Sequence, residues 1–76
     1  MGYWVDLDNR ENAFKVSEYL KNDKTNRLIY YGSSFTCYYL GDEGLARIKW
    51  DNNTLIAIDL PMEITDGINL ILEGNK

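Results

Sequence analysis

Histidine is absent from this 76-residue chain, cysteine and proline occur once each, and each scarcity closes off a class of function. Without histidine there is no Ser–His or Cys–His pair to activate a nucleophile, and the usual Cys/His zinc sites fall short of ligands. Neither a GxGxxG nor a GxxxxGK[ST] phosphate loop is present. The loop acids Asp42 and Glu43 supply two carboxylates, where Ca²⁺ takes six to eight oxygens. A chain without enzymatic activity, cofactor or metal is therefore expected. The lone Cys37 excludes an internal disulfide and points to a reducing, cytoplasmic setting. No apolar run approaches the roughly 20 residues needed to span a bilayer, and MGYWVDLDNR is not of signal-peptide type. Its MG start does not predict myristoylation either, because Asp6 stands where that motif takes Ser or Thr. No membrane association is expected.

What is present describes a folded domain. Hydrophobic residues make up 45% and charged residues 26%, which is globular and not disordered composition, and one domain over residues 1–76 is expected. The net charge of −4 is unevenly placed. Acids and bases balance up to Arg27, whereas the remainder sets seven acids against Arg47, Lys49 and Lys76. Such a balance disfavours non-specific nucleic-acid binding, though a local basic patch is compatible with it.

The patterning predicts an α+β fold. Tyr3, Val5 and Leu7 alternate with Trp4 and Asp6, as in a short N-terminal strand. Asp8 is the expected helix cap, with Glu11 reaching back to it, for an amphipathic helix over about 9–22 whose stripe is Ala13, Val16 and Leu20. From Arg27 onward the chain reads as a five-stranded antiparallel meander over about 27–31, 35–40, 45–50, 54–64 and 68–73. A two-residue Gly32-Ser33 turn sets Tyr30 opposite Phe35, and the GDEG loop sets Tyr39 opposite Ala46 and Cys37 opposite Ile48. At DNN, a two-residue loop would put Arg47 and Lys49 opposite Ile58 and Ile56. A three-residue loop with Asn53 left-handed pairs Ile48 with Ile56 instead and is preferred, because it keeps apolar residues together. Thr65-Asp66-Gly67 is read as a further turn. The registers on either side of the fourth strand conflict, which predicts a bulge or break near Asp59 to Pro61.

The stretch RLIYYGSSFTCYYLG, residues 27–41, places four of its five aromatic rings as two adjacent tyrosine pairs. Neighbouring strand residues face opposite ways, so one ring of each pair points outward. The registers make Tyr30 and Tyr39 core residues and turn Tyr31 and Tyr38 out, among Arg27, Ser34, Thr36, Arg47 and Lys49. One helix covers one sheet face, so the other is expected to be bare. Tyrosine among small hydroxyl residues suits protein recognition, since the ring brings contact area with few rotatable bonds. The plainer account is that Tyr and Arg pairs stabilise a wet sheet at roughly 0.2 to 1 kcal/mol each.

The reading is thus a small protein-binding module whose contacts are Arg27, Tyr31, Tyr38, Arg47, Lys49 and Trp4, with Asp59, Glu63 and Glu73 as an acidic flank. Its size and type suggest a phage- or mobile-element-encoded inhibitor or modulator of a larger, nucleic-acid-handling host protein. Two alternatives stay open. Tyr31 and Tyr38 could stack the bases of a single-stranded nucleic acid, or the face could close by homodimerisation.

Overall fold

The alternation at the start of the chain forms strand β1 (Gly2–Asp6), and the amphipathic stripe forms helix α1 (Arg10–Lys21). The structure is a computed structural model and describes residues 2–32 and 35–74. The cap of α1 is Asn9, not Asp8: its side chain accepts a hydrogen bond from the Asn12 N–H at 2.9 Å. The preceding turn explains the shift. Asp8 donates its N–H to Asp6 Oδ1 at 2.9 Å and adopts φ 68°, which leaves Asn9 extended and in the capping position. Asn12, buried beneath this junction, donates to the Leu7 carbonyl at 2.9 Å and ties β1 to α1.

Four further strands follow: β2 (Leu28–Gly32), β3 (Thr36–Gly41), β4 (Gly44–Trp50) and β5 (Thr54–Ile58). The five form one antiparallel sheet in the order β1-β5-β4-β3-β2, so the N-terminal strand supplies the fifth position. The expected β3–β4 register is present, with Tyr39 opposite Ala46 and Cys37 opposite Ile48.

Two registers differ from expectation, and both differences move side chains between faces. At DNN the loop has two residues, and Arg47 and Lys49 do stand opposite Ile58 and Ile56. The Asp51 carboxylate closes this turn by accepting the N–H groups of Asn53 at 2.7 Å and Thr54 at 2.8 Å, and Asn53 has no positive φ. These bonds hold Asp51 below the usual carboxylate range. Leu55 and Ala57 consequently point inward, and Ile56 and Ile58 outward. In β2 the pairing steps from Leu28↔Tyr39 to Tyr30↔Tyr38, leaving Ile29 as the extra residue of a bulge. One inserted residue reverses the alternation beyond it, so Tyr31 faces the core side and Tyr30 the open side. The expected Gly32-Ser33 turn involves Ser33, which with Ser34 lies outside the described residues; Gly32 itself pairs with Thr36.

The break expected near 59–61 is present. The fourth strand of the sequence reading ends at Ile58, Asp59 takes φ 56°, and Pro61 accepts backbone hydrogen bonds from Ile64 and Thr65 to open helix α2 (Met62–Gly74). Residues 68–73 are therefore helix and not strand. Ile64 and Ile68, four apart, are the buried residues of α2 and share one helical face. Tyr19 of α1 donates to the Glu63 carbonyl at 3.4 Å, and its ring occupies the space that a Cβ on Gly67 would fill. Ala13, Val16 and Leu20 of α1 and Ile64 and Ile68 of α2 join Cys37, Tyr39, Ala46, Ile48, Trp50, Leu55 and Ala57 of the sheet in one core. Both helices share one core on the same side of the sheet, and among the described residues no element covers the opposite face.

Candidate binding face

The strand pairings lay the outward positions of the bare face in two central rows, beyond which Leu45 stands opposite Leu40, both more than half exposed. One runs Trp4, Ile56, Lys49, Thr36, Gly32, and the other Gly2, Ile58, Arg47, Tyr38, Tyr30. Trp4 is 66% exposed, Ile56 52% and Ile58 45%. Apolar side chains this open, standing side by side in adjacent strands, form a continuous patch and are not isolated surface residues. Tyr30 and Tyr38 pack with ring centroids 5.8 Å apart. The Tyr30 ring folds over Gly32, where a Cβ would collide with it.

The patch is concave. A depression of about 480 Å³ is lined by Tyr30, Thr36, Tyr38, Arg47, Lys49, Ile56 and Ile58. A second of about 310 Å³ adjoins it, sharing Tyr38, Arg47 and Ile58 and adding Leu45. Arg47 and Lys49 come from β4, the central strand, so both cations rise from the middle of the face. Among the described residues neither is held in an ion pair.

Of the residues expected to form the contact surface, Trp4, Tyr38, Arg47 and Lys49 are together on this face. Tyr31 is not: it is half-buried on the core side, its ring 5.8 Å from that of Trp50 and its hydroxyl 3.4 Å from the Ser17 carbonyl. Arg27 is not either. Its guanidinium is committed to Asp42, at 3.2 Å from Nη1, and to Glu63, at 3.1 Å from Nε. The expected acidic flank is dispersed, with Asp59 just beyond β5 and Glu63 and Glu73 on α2. Sequence reasoning missed Tyr30, Ile56 and Ile58. The two isoleucines carried a usable signal, since Asp51 followed by two asparagines is a turn that an Asx carboxylate can close unaided. The bulge at Ile29 left no comparable mark in the sequence.

The remaining titratable groups of note are structural. Cys37 is fully buried, and burial pushes its thiol up to about 12. Burial, together with the charges of Cys37 and Asp23, likewise raises Tyr39, whose hydroxyl donates to the Leu20 carbonyl at 2.6 Å. Asp23 organises the α1–β2 connection by accepting the N–H groups of Thr25, Arg27 and Leu28 at 2.8 to 2.9 Å. Among the described residues no group of three or more metal-ligating side chains comes together, and no helix is long and apolar enough to cross a membrane. Comparison with protein-family models, curated proteins and solved structures returns no match to this chain.

Proposed function

We propose that this chain is a non-enzymatic protein-binding module that docks through the helix-free face of its sheet, acting as a modulator or inhibitor of a larger protein in a reducing compartment. The observation that carries this reading is the coincidence of Trp4, Tyr30, Tyr38, Ile56 and Ile58 on one open, concave surface. Tyrosine and arginine around a depression, with tryptophan on the same face, are the residue types enriched in binding hot spots, whereas a sheet face with no partner to meet is normally polar. A phage or mobile-element origin and a nucleic-acid-handling target remain suggestions of size and type.

Affinity capture from a lysate tests the proposal. Immobilised chain is expected to retain a specific protein, and Tyr38→Ala or Ile58→Ser to abolish retention while circular dichroism shows the fold intact. Retention by both variants would remove the face from the account.

The Tyr30–Tyr38 pair beside two cations also supports a second reading, in which bases of a single strand stack on the rings and phosphates meet Arg47 and Lys49. That reading requires binding of an oligothymidylate at low salt with a steep loss as salt rises. No binding at low salt ends it.

A further inference from the structure

Arg47 and Lys49 stand at the centre of a face otherwise built of tyrosine, threonine and isoleucine side chains, and their position constrains the chemistry of whatever covers it. An occupant that seals the two depressions must take these cations out of water. Removing an ion from water is strongly unfavourable unless an opposite charge arrives with the partner. Rim charges can stay solvated during docking; charges on the middle strand of five cannot all do so. Among the described residues the protein itself brings no carboxylate to them.

A second copy of the chain answers this poorly. A two-fold contact through the face would set the Arg47 and Lys49 of one protomer against those of the other, where like charges repel. A nucleic-acid strand answers it partly, but it brings a charge with every nucleotide to a chain of net charge −4 and leaves Ile56 and Ile58 against the sugar-phosphate backbone. A protein segment carrying a few carboxylates among apolar residues matches both the two cations and the aliphatic floor.

Resting on the docking reading above, we infer that the partner presents an acidic, apolar segment: an aromatic or aliphatic anchor seated in the depression of about 480 Å³ between Tyr38 and Ile56, with flanking carboxylates on Arg47 and Lys49. The charge pairs select the partner and the anchor supplies most of the contact.

The test is a random twelve-residue peptide display selection against the folded chain, followed by titration of the synthesised winners with amide resonances as the readout. Enriched peptides are expected to combine Asp or Glu with Phe, Trp, Leu or Ile and to shift the resonances of Thr36, Tyr38, Arg47, Lys49, Ile56 and Ile58. Arg47→Glu/Lys49→Glu should weaken them at least tenfold, and peptides with Lys in place of each acid should recover binding to that variant. Winners that map to this face yet are neutral or basic, or that bind the charge-reversed variant undiminished, overturn the acidic partner and leave the docking face standing. Winners that map to the helical side, or no enrichment at all, count against both. Tight binding of oligothymidylate to the same residues, or concentration-dependent dimerisation in sedimentation, would replace the acidic segment by the corresponding occupant.

Discussion

Tyr30 and Tyr31 are adjacent in sequence and opposite in role: the first packs on Tyr38 in the open, at 5.8 Å between ring centroids, and the second packs on Trp50 beneath α1, also at 5.8 Å. The difference predicts divergent mutational behaviour. Tyr30→Ala, at a side chain 54% exposed, should cost stability by no more than an exposed aromatic pair contributes, about 0.5 to 1.5 kcal/mol. Tyr31→Ala, which removes a half-buried ring packed against the core, should cost more, about 2 to 3 kcal/mol once the cost of a fully buried aromatic is discounted for its partial exposure. Denaturant unfolding of the two variants separates them, and equal losses would contradict the bulge at Ile29.

Gly67 makes room for Tyr19 where the two helices meet. Because the Tyr19 ring lies where a Cβ would be, Gly67→Ala should destabilise the fold by about 1 to 3 kcal/mol despite the better helix propensity of alanine. Combining it with Tyr19→Ala should recover part of that loss. A double-mutant cycle reads the coupling, and additive effects would mean that the two helices do not meet here.

Asp23 predicts an acid-sensitive α1–β2 connection. Burial raises its pKa, but the hydrogen bonds from the Thr25 hydroxyl and from the N–H groups of Thr25, Leu28 and Arg27 outweigh that and lower it. A carboxyl whose pKa is lower folded than unfolded contributes stability that is complete above its unfolded value, about 3.9, and is lost as pH falls through the folded value. Asp23→Asn should therefore reduce stability at pH 7 by about 1 to 2 kcal/mol, discounted for its partial exposure. The gap to the unsubstituted protein should hold down to about pH 5 and narrow below about pH 4. Urea midpoints at several pH values measure it.

Cys37 should behave as a reporter of unfolding. With the thiol fully buried and its pKa pushed up to about 12, the folded protein should not react with a disulfide reagent at pH 8. Reaction should appear in parallel with loss of circular dichroism as denaturant rises. Rapid labelling of the native state would contradict the position of Cys37 in the core.

Where the sequence was legible, local chemistry and global packing agreed. The stripe of α1, the β3–β4 hairpin and the break at Asp59–Pro61 each follow from a pattern that tertiary structure leaves intact. Residues 62–74 were misread because Leu60, Met62 and Ile64 alternate as a strand would, while Ile64 and Ile68 also recur at helical spacing, and Gly67 suggested a turn. The helix agrees with the packing: Ile64 and Ile68, four apart, are both buried, and Gly67 leaves room for Tyr19, a residue more than forty positions away. On the candidate site, parity decided everything. Tyr38, Arg47 and Lys49 kept their faces because the β3–β4 register was correct, whereas an unmarked bulge exchanged Tyr31 for Tyr30 and a loop shorter by one residue exchanged Leu55 and Ala57 for Ile56 and Ile58. The bare face itself was foreseen, although it is bare because both helices share the other side.

The most direct test of this arrangement uses the free protein, its isoleucine δ-methyl groups labelled, with a soluble gadolinium chelate added. Ile56 and Ile58 are predicted to relax strongly, and Ile48, Ile64 and Ile68, all buried, to be shielded. Shielding of Ile56 and Ile58 in the free monomer would mean that the face is covered or the β4–β5 register is shifted, and the proposed docking surface would be lost.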